Sequence, residues 1–206
     1  MMKRLFDIAA AFVGLLLVCP FLLIAGLLIK LDSPGPIFFR QERMGRGFRP
    51  FFIYKLRTMT QDAPARGRSI TMGKDPRITR VGEVLRGTKI DELPQLINVL
   101  KGEMSFVGPR PEIREFVERF RDDYKQILKI RPGITDLASL KYHNEAAILG
   151  ESENPEEEYV RRVLPDKIEL AKEYINQSSF FFDLVLIFKT LLKPACNRIP
   201  NQRVVP

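Results

Sequence analysis

The sequence offers one histidine, His143, and two cysteines, Cys19 and Cys196. None has a Cys or His at ligand spacing, so neither a zinc site nor a Ser-His-Asp triad finds support. Nucleophilic and acid–base work therefore falls to carboxylates. The cysteines lie in apolar or terminal surroundings and read as free thiols of a reducing compartment. Neither GxxxxGK[ST] nor GxGxxG occurs, which removes the familiar nucleotide-binding loops. Zinc-finger spacing, a helix-turn-helix pattern and an aromatic-interleaved RNA signature are missing too, as are internal repeats and low-complexity tracts. Nothing favours nucleic acid as a partner.

What the chain does have is positive charge, unevenly placed. Its 206 residues suit one domain with a sizeable core and carry a formal net charge of +8. Between Arg40 and Lys89 thirteen Lys/Arg stand against four acids, so this block alone exceeds the charge of the whole chain. An anionic partner follows, and on charge alone DNA, phospholipid or nucleotide would serve.

The second abundance is apolar. From Ile8 to Ile29 run 22 residues without a charge, long enough for a membrane helix. A cleaved signal peptide fits poorly, because the run is too long and lacks a small-x-small cleavage site. A lipoprotein anchor on Cys19 fits worse, with Val18 before it and Pro20 after. Cations flank both ends (Lys3 and Arg4, then Lys30, Arg40 and Arg43), so charge asymmetry gives no orientation. Pro20 near the middle removes a backbone hydrogen bond and invites a kink. A bent helix that enters and leaves by one face satisfies both facts; a kinked spanning helix is the alternative.

After the turn-rich Asp32–Pro36, the runs Ile37–Arg40 and Phe48–Thr58 predict a hairpin around Gly45-Arg46-Gly47. Period two places Phe52, Tyr54 and Leu56 on one face and Ile53, Lys55 and Arg57 on the other. Residues 61–74 read as a loop, and Asp75-Pro76 opens a short basic helix ending near Arg86. Ile113, Phe116, Val117, Phe120, Tyr124, Ile127 and Leu128 recur at the spacing of one amphipathic helix, closed by Pro132-Gly133. Asn154 and Pro155 fit the cap and first position of an acidic helix. A further short helix is expected over Lys167–Asn176, and Ser178–Lys193 as an apolar helix lying in the membrane interface or in the core. The tail after Pro194 reads as irregular. The fold class is α+β and helix-rich.

The chemistry concentrates between Arg86 and Glu112. Asp91 and Glu92 are adjacent carboxylates at the head of a helix expected over Leu93–Leu100, with Gly102 as its stop. Two carboxylates there are either caps or catalysts. Pro109 and Pro111 bracket Arg110 and stiffen its backbone. A carboxylate can attack phosphorus while a second holds a divalent cation, and Mg²⁺ needs only one or two protein carboxylates. Residues alone thus reach a membrane-associated enzyme of phosphoryl transfer. A non-catalytic adaptor binding anionic lipid through its basic face, or a hydrolase with Asp91 as nucleophile, stays open.

The block IDELPQLINVLKGEMSFVGPRPE resembles the signature of the bacterial sugar transferases, the monotopic polyprenyl-phosphate phosphoglycosyl transferases in their minimal catalytic form. KRLFDIAAAFVGLLL, SPGPIFFRQERMGRGFRPFFIYKLRTM, DPRITRVGEVLR, RPGITDLASLKY and FFFDLVLIFKT match in the same order. The resemblance implies a monotopic membrane protein with a re-entrant helix over residues 1–32 and a cytoplasmic catalytic domain over 33–206. Within that domain lie a small β-hairpin and the interfacial helix 178–193. It implies Asp91 as nucleophile on the β-phosphate of a UDP-sugar, releasing UMP, and polyprenyl phosphate as acceptor. Glu92 would bind Mg²⁺, and Lys55, Arg57, Arg86 and Arg110 would hold phosphates or nucleotide. The setting would be the cytoplasmic face of a bacterial inner membrane, among its lipids, at the start of glycan synthesis, and a homo-oligomer is compatible with it. Two positions depart from the family pattern. Its Ser-Pro helix break becomes Cys19-Pro20, with a thiol as the weaker partner for a freed carbonyl. Its serine before the Asp-Glu pair is absent, since Lys89-Ile90 stand there.

Overall fold

A computed structural model describes residues 2–63, 75–142, 145–150 and 152–196. The loop expected over 61–74 falls largely outside these residues, as do His143 and the tail beyond Cys196. The first element, α1, is a 31-residue helix, Met2–Asp32. Leu5, Phe12, Leu16, Leu17, Leu23, Leu27 and Leu31 are among its exposed apolar side chains. Its other side lies on the rest of the chain along its whole length. Near the start, Lys3 Nζ donates to the Val107 carbonyl (2.8 Å), and Arg4 donates to the Val99 carbonyl (2.7 Å). Buried Asp7 accepts from Ser105 and from the Phe106 N–H. Ala11, Leu15 and Val18 then pack with Phe51, Ile53, Leu96 and Val99, and Leu22, Ala25 and Ile29 with Leu56 and Leu85. At the far end, Asp32 accepts from the Val81 N–H at 3.1 Å. The sequence predicts a break at Cys19-Pro20, yet the backbone there stays helical, with Pro20 inside α1. One missing N–H removes a single bond from a ladder that otherwise continues.

The hairpin forms as expected, with a longer first strand and a shorter second one. β1 (Phe38–Met44) pairs antiparallel with β2 (Pro50–Leu56), Phe39 opposite Lys55 and Arg40 opposite Tyr54. Alternation holds on β2 for buried Phe51 and Ile53 and exposed Phe52, but Leu56 on the opposite parity is also buried, because α1 covers it. Next come α2 (Arg80–Gly87), a 3₁₀ turn (Ile90–Glu92) and α3 (Gln95–Lys101). Helix α3 ends at Gly102, whose φ of 83° is the left-handed stop a glycine supplies.

A second, two-stranded parallel sheet joins β3 (Ser105–Val107) to β4 (Gly133–Thr135). Its backbones come close: a Cβ on Gly133 would lie 2.1 Å from the Gly108 nitrogen. Between the strands, the single helix predicted over 113–128 is two, α4 (Arg114–Arg119) and α5 (Arg121–Ile127). They part at Phe120, whose ψ of 40° leaves the helical region. After β4 come α6 (Leu137–Lys141), α7 (Glu145–Gly150) and α8 (Pro155–Glu158), the last capped by Asn154 as predicted. A π-helical turn (Tyr159–Val163) leads into α9 (Leu164–Gln177), and α10 spans Phe180–Cys196. The main core joins Met44, Phe116, Val117, Tyr124, Ile127, Val163, Leu164 and Ile168. Helix α10 buries Asp183 and Leu186 and exposes Phe181, Val185, Phe188 and Leu192, one stripe at helical spacing. Asp183 accepts from Lys3 at 2.6 Å and from Tyr174 at 2.7 Å, which ties α10 to the start of α1.

Candidate active site

Asp91 and Glu92 lie in the 3₁₀ turn between α2 and α3. The residue before α3 that takes the cap position is Pro94, with no side-chain cap. The capping reading of Asp91 therefore fails. Asp91 is only 7% exposed, and its Oδ1 is buried with no hydrogen-bond partner. Burial and the neighbouring Glu92 charge push its carboxyl up, against the pull of Lys55, Arg86 and Lys89. An ionised, poorly solvated carboxylate oxygen is what a nucleophile needs.

Glu92 is the opposite case. Its Oε1 takes Lys55 Nζ at 2.8 Å and also the Arg110 guanidinium, whose second nitrogen lies 3.3 Å from Oε2. Burial alone would raise this carboxyl, but the charges and hydrogen bonds of Arg110 and Lys55 hold it well below the usual range. Burial pushes Lys55 down, opposed by Glu92, while Glu92 holds Arg110 upward.

The two cations come from different elements. Lys55 sits near the end of β2. Arg110 follows β3, in a segment gripped by β4: Gly108 donates to the Thr135 carbonyl, and Gly133 to that of Pro109. The Arg110 N–H donates to Asp136 Oδ2 at 3.0 Å, while Asp136 Oδ1 caps α6 through Ser139. Arg86, on α2, is pushed down by burial and partly restored by Asp91; its Nε donates to Thr58 Oγ1 at 2.8 Å.

Arg57 stands apart from this group. It is buried, and its guanidinium donates to the carbonyls of Ile29, Ser33 and Pro34 and to Ser33 Oγ. These carbonyls lie at and just beyond the end of α1, a natural seat for a cation. Lys55 and Arg57 share strand parity but not a partner, so they do not form a joint phosphate grip.

Residues beyond the predicted set complete the wall. Glu112 is buried and accepts from Tyr159 at 2.7 Å and from Arg43 at 3.3 Å. Burial lowers Arg43, opposed first by Glu112. Glu112 closes the Pro109-Arg110-Pro111 motif, a signal within reach of the sequence. Asp136 and Arg43 become visible only through the β3–β4 pairing and the hairpin register.

The profile of the bacterial sugar transferases matches residues 1–196. The chain belongs to that family. A UDP-N-acetylgalactosamine-undecaprenyl-phosphate N-acetylgalactosaminephosphotransferase of Aeromonas hydrophila is 42% identical over 92% of this chain and 42% of its own length. The exopolysaccharide production protein PSS of Rhizobium leguminosarum bv. phaseoli is 39% identical over 93% of this chain and 94% of itself. An Escherichia coli UDP-glucose:undecaprenyl-phosphate glucose-1-phosphate transferase is 37% identical over 96% of this chain and 41% of itself. The bacterial sugar transferase chain thus spans about two fifths of some relatives and nearly all of another. Membership in an enzyme family sets the non-catalytic adaptor aside.

Proposed function

We propose that the chain moves a sugar 1-phosphate from a UDP-sugar to polyprenyl phosphate. The observation that carries this reading is the unpartnered, buried Oδ1 of Asp91 beside cation-held Glu92, in a member of the bacterial sugar transferase family. Asp91 attacks the β-phosphorus, the bond to the bridging oxygen breaks, and UMP leaves with that oxygen. A polyprenyl phosphate oxygen then attacks the same phosphorus and the Asp91–phosphorus bond breaks, restoring the carboxylate. The product is a polyprenyl diphosphate sugar, the starting unit of a glycan. Names of the relatives support both substrate classes.

Lys55, Arg86 and Arg110 neutralise the diphosphate, with Arg110 anchored through its backbone. Arg57 serves the site from a distance by fixing the end of α1 to β2.

Glu92 is the residue that would hold Mg²⁺. The donor set fits an ion bringing most of its shell on phosphate and water, since Asp91 Oδ1 is an orphaned oxygen next to it. Among the described residues no group of three His, Cys, Asp or Glu forms a closed cage. When bound, Mg²⁺ would neutralise charge developing on the diphosphate oxygens. Glu92 would then share its oxygens with Lys55 and Arg110.

Contacts at both ends of α1 support a monotopic arrangement. A straight helix of this length measures about 46 Å, and one crossing the bilayer touches its own domain at one end only. Here Lys3 and Asp32 both bind the same body. We place residues 1–32 in one leaflet, α10 in the interface, and residues 33–206 at the cytoplasmic face, where nucleotide sugars are made.

The test is UMP release by the purified chain with Mg²⁺ and a panel of UDP-sugars. Sustained release that needs polyprenyl phosphate, with at most one equivalent without it, is the expected result. Equal release without lipid would indicate the hydrolase, and none with any donor would defeat the transfer reading.

A further inference from the structure

Lys55, Arg86 and Lys89 are the cations whose charges act on buried Asp91, and two of them are held by other side chains. Lys55 pairs with Glu92 and Arg86 donates through Nε to Thr58, and both face the donor diphosphate in the reading above. Lys89 is exposed, and no hydrogen bond or ion pair among the described residues holds its ammonium.

The backbone of Lys89 is the second observation. Thr88 is the C-cap of α2, and Lys89 follows it at φ 60°, ψ 14°, in the left-handed region. That position after a helix usually carries glycine or asparagine, because a Cβ is strained there. The turn itself is needed to present Asp91: Lys89 N–H donates to the Arg86 carbonyl, and the Lys89 carbonyl accepts from Glu92. Glycine would make this turn at less conformational cost. A cationic side chain kept against that cost, beside a buried carboxylate and without a partner in the protein, serves something outside it.

The third observation is where it stands. Ile90, the next residue, packs with Leu22, Ala25 and Ile29 of α1 and with Val81 and Leu85 of α2. Flanking this cluster, Leu27, Leu28 and Leu31 of α1 and Val84 of α2 are exposed, Val84 at 65%. Lys89 therefore stands where the apolar surface meets the turn that carries Asp91.

We propose that Lys89 receives the phosphate of the polyprenyl acceptor and guides it to the phosphorus carried by Asp91. This rests on the transfer reading above. The donor brings a polar nucleotide, whereas the acceptor's phosphate is tied to an isoprenoid chain and needs an apolar surface beside its cation. The surface of α1 and Val84 supplies it. An ammonium on a flexible stem can follow an incoming phosphate, which a tethered guanidinium cannot.

The experiment compares the full chain, Lys89→Gly and Lys89→Arg in lipid nanodiscs, varying UDP-sugar and polyprenyl phosphate separately. Lys89→Gly should melt at or above the wild-type temperature, because the strained turn is relieved. Its KM for polyprenyl phosphate should rise by about tenfold or more, the scale of one lost charged hydrogen bond. Its KM for the UDP-sugar should stay within about twofold on the same scale. Lys89→Arg should recover most of the loss, and added salt should raise the lipid KM of the wild type more than that of Lys89→Gly. A rise in the UDP-sugar KM instead, or no change in either, overturns the proposal. A wild type without lipid-dependent UMP release would overturn the transfer reading itself.

Discussion

Asp91 and Glu92 are consecutive residues with opposite surroundings: Glu92 is clasped by Lys55 and Arg110, while an oxygen of Asp91 is buried with no partner. The contrast arises within one 3₁₀ turn, where Glu92 reaches Lys55 of β2 and Arg110 after β3 while Asp91 Oδ1 stays buried without a partner. Two carboxylates pushed apart in pKa are a sign of divided roles. In the proposed transfer, Glu92 is the permanently charged partner that would hold the cation and Asp91 is the nucleophile.

A buried carboxylate whose pKa is raised by folding costs stability at neutral pH, because the unfolded chain solvates its charge better. Asp91→Asn should therefore abolish turnover while leaving the melting temperature unchanged or raised. Activity and thermal melts on one preparation check it. A variant that loses both would make Asp91 a structural residue.

Acidification should separate activity from folding. Asp91 must be ionised to attack, and its raised pKa moves the acid limb of kcat/KM above the ordinary aspartate value of about 3.9. Glu92 has the reverse sign. Its depressed pKa contributes stability that is complete above the unfolded glutamate value of about 4.3 and is lost as pH falls through the folded value. A pH interval should exist in which the protein is folded but inactive. Circular dichroism and UMP release over one pH series would show it, and coincident midpoints would contradict the assignment.

Much of this arrangement was legible in the residues. The uncharged run, the hairpin around Gly45-Arg46-Gly47, the stop at Gly102 and the Asn154-Pro155 start are local signals, and each stands where expected. What escaped is long-range. Parallel pairing of β3 with β4 joins two three-residue strands 28 positions apart, too short for any periodicity to mark. Arg57 obeys the strand alternation that groups it with Lys55, but the carbonyls at the end of α1 claim it. Only the packing of α1 reveals that competitor.

Asp136 joins two tasks, capping α6 with one oxygen and holding the Arg110 N–H with the other. Asp136→Ala should cost about 1 kcal/mol through the lost cap and lower activity by about tenfold, the worth of one well-placed hydrogen bond. If the second effect runs through Arg110, the double variant Asp136→Ala/Arg110→Ala will be no less active than Arg110→Ala alone. Multiplying losses would place Asp136 outside the chain of contacts that serves Glu92.

The path of α1 can be read by labelling. With Cys19 and Cys196 replaced by serine, single cysteines at Met2 and Arg46 report the two sides of the apolar run; both positions are exposed. Lys3 and Arg4 bind β3 and the end of α3, while Asp32 binds α2, so both ends of α1 contact the same domain. Separating them across about 30 Å of hydrocarbon would break all of these bonds and strip buried Asp7 of its Ser105 and Phe106 donors. A membrane-impermeant thiol reagent should therefore modify both positions from the cytoplasmic side of inverted vesicles and neither in intact cells. Labelling of Met2→Cys alone from outside would mean that α1 crosses and that the contacts at its start do not survive in the membrane.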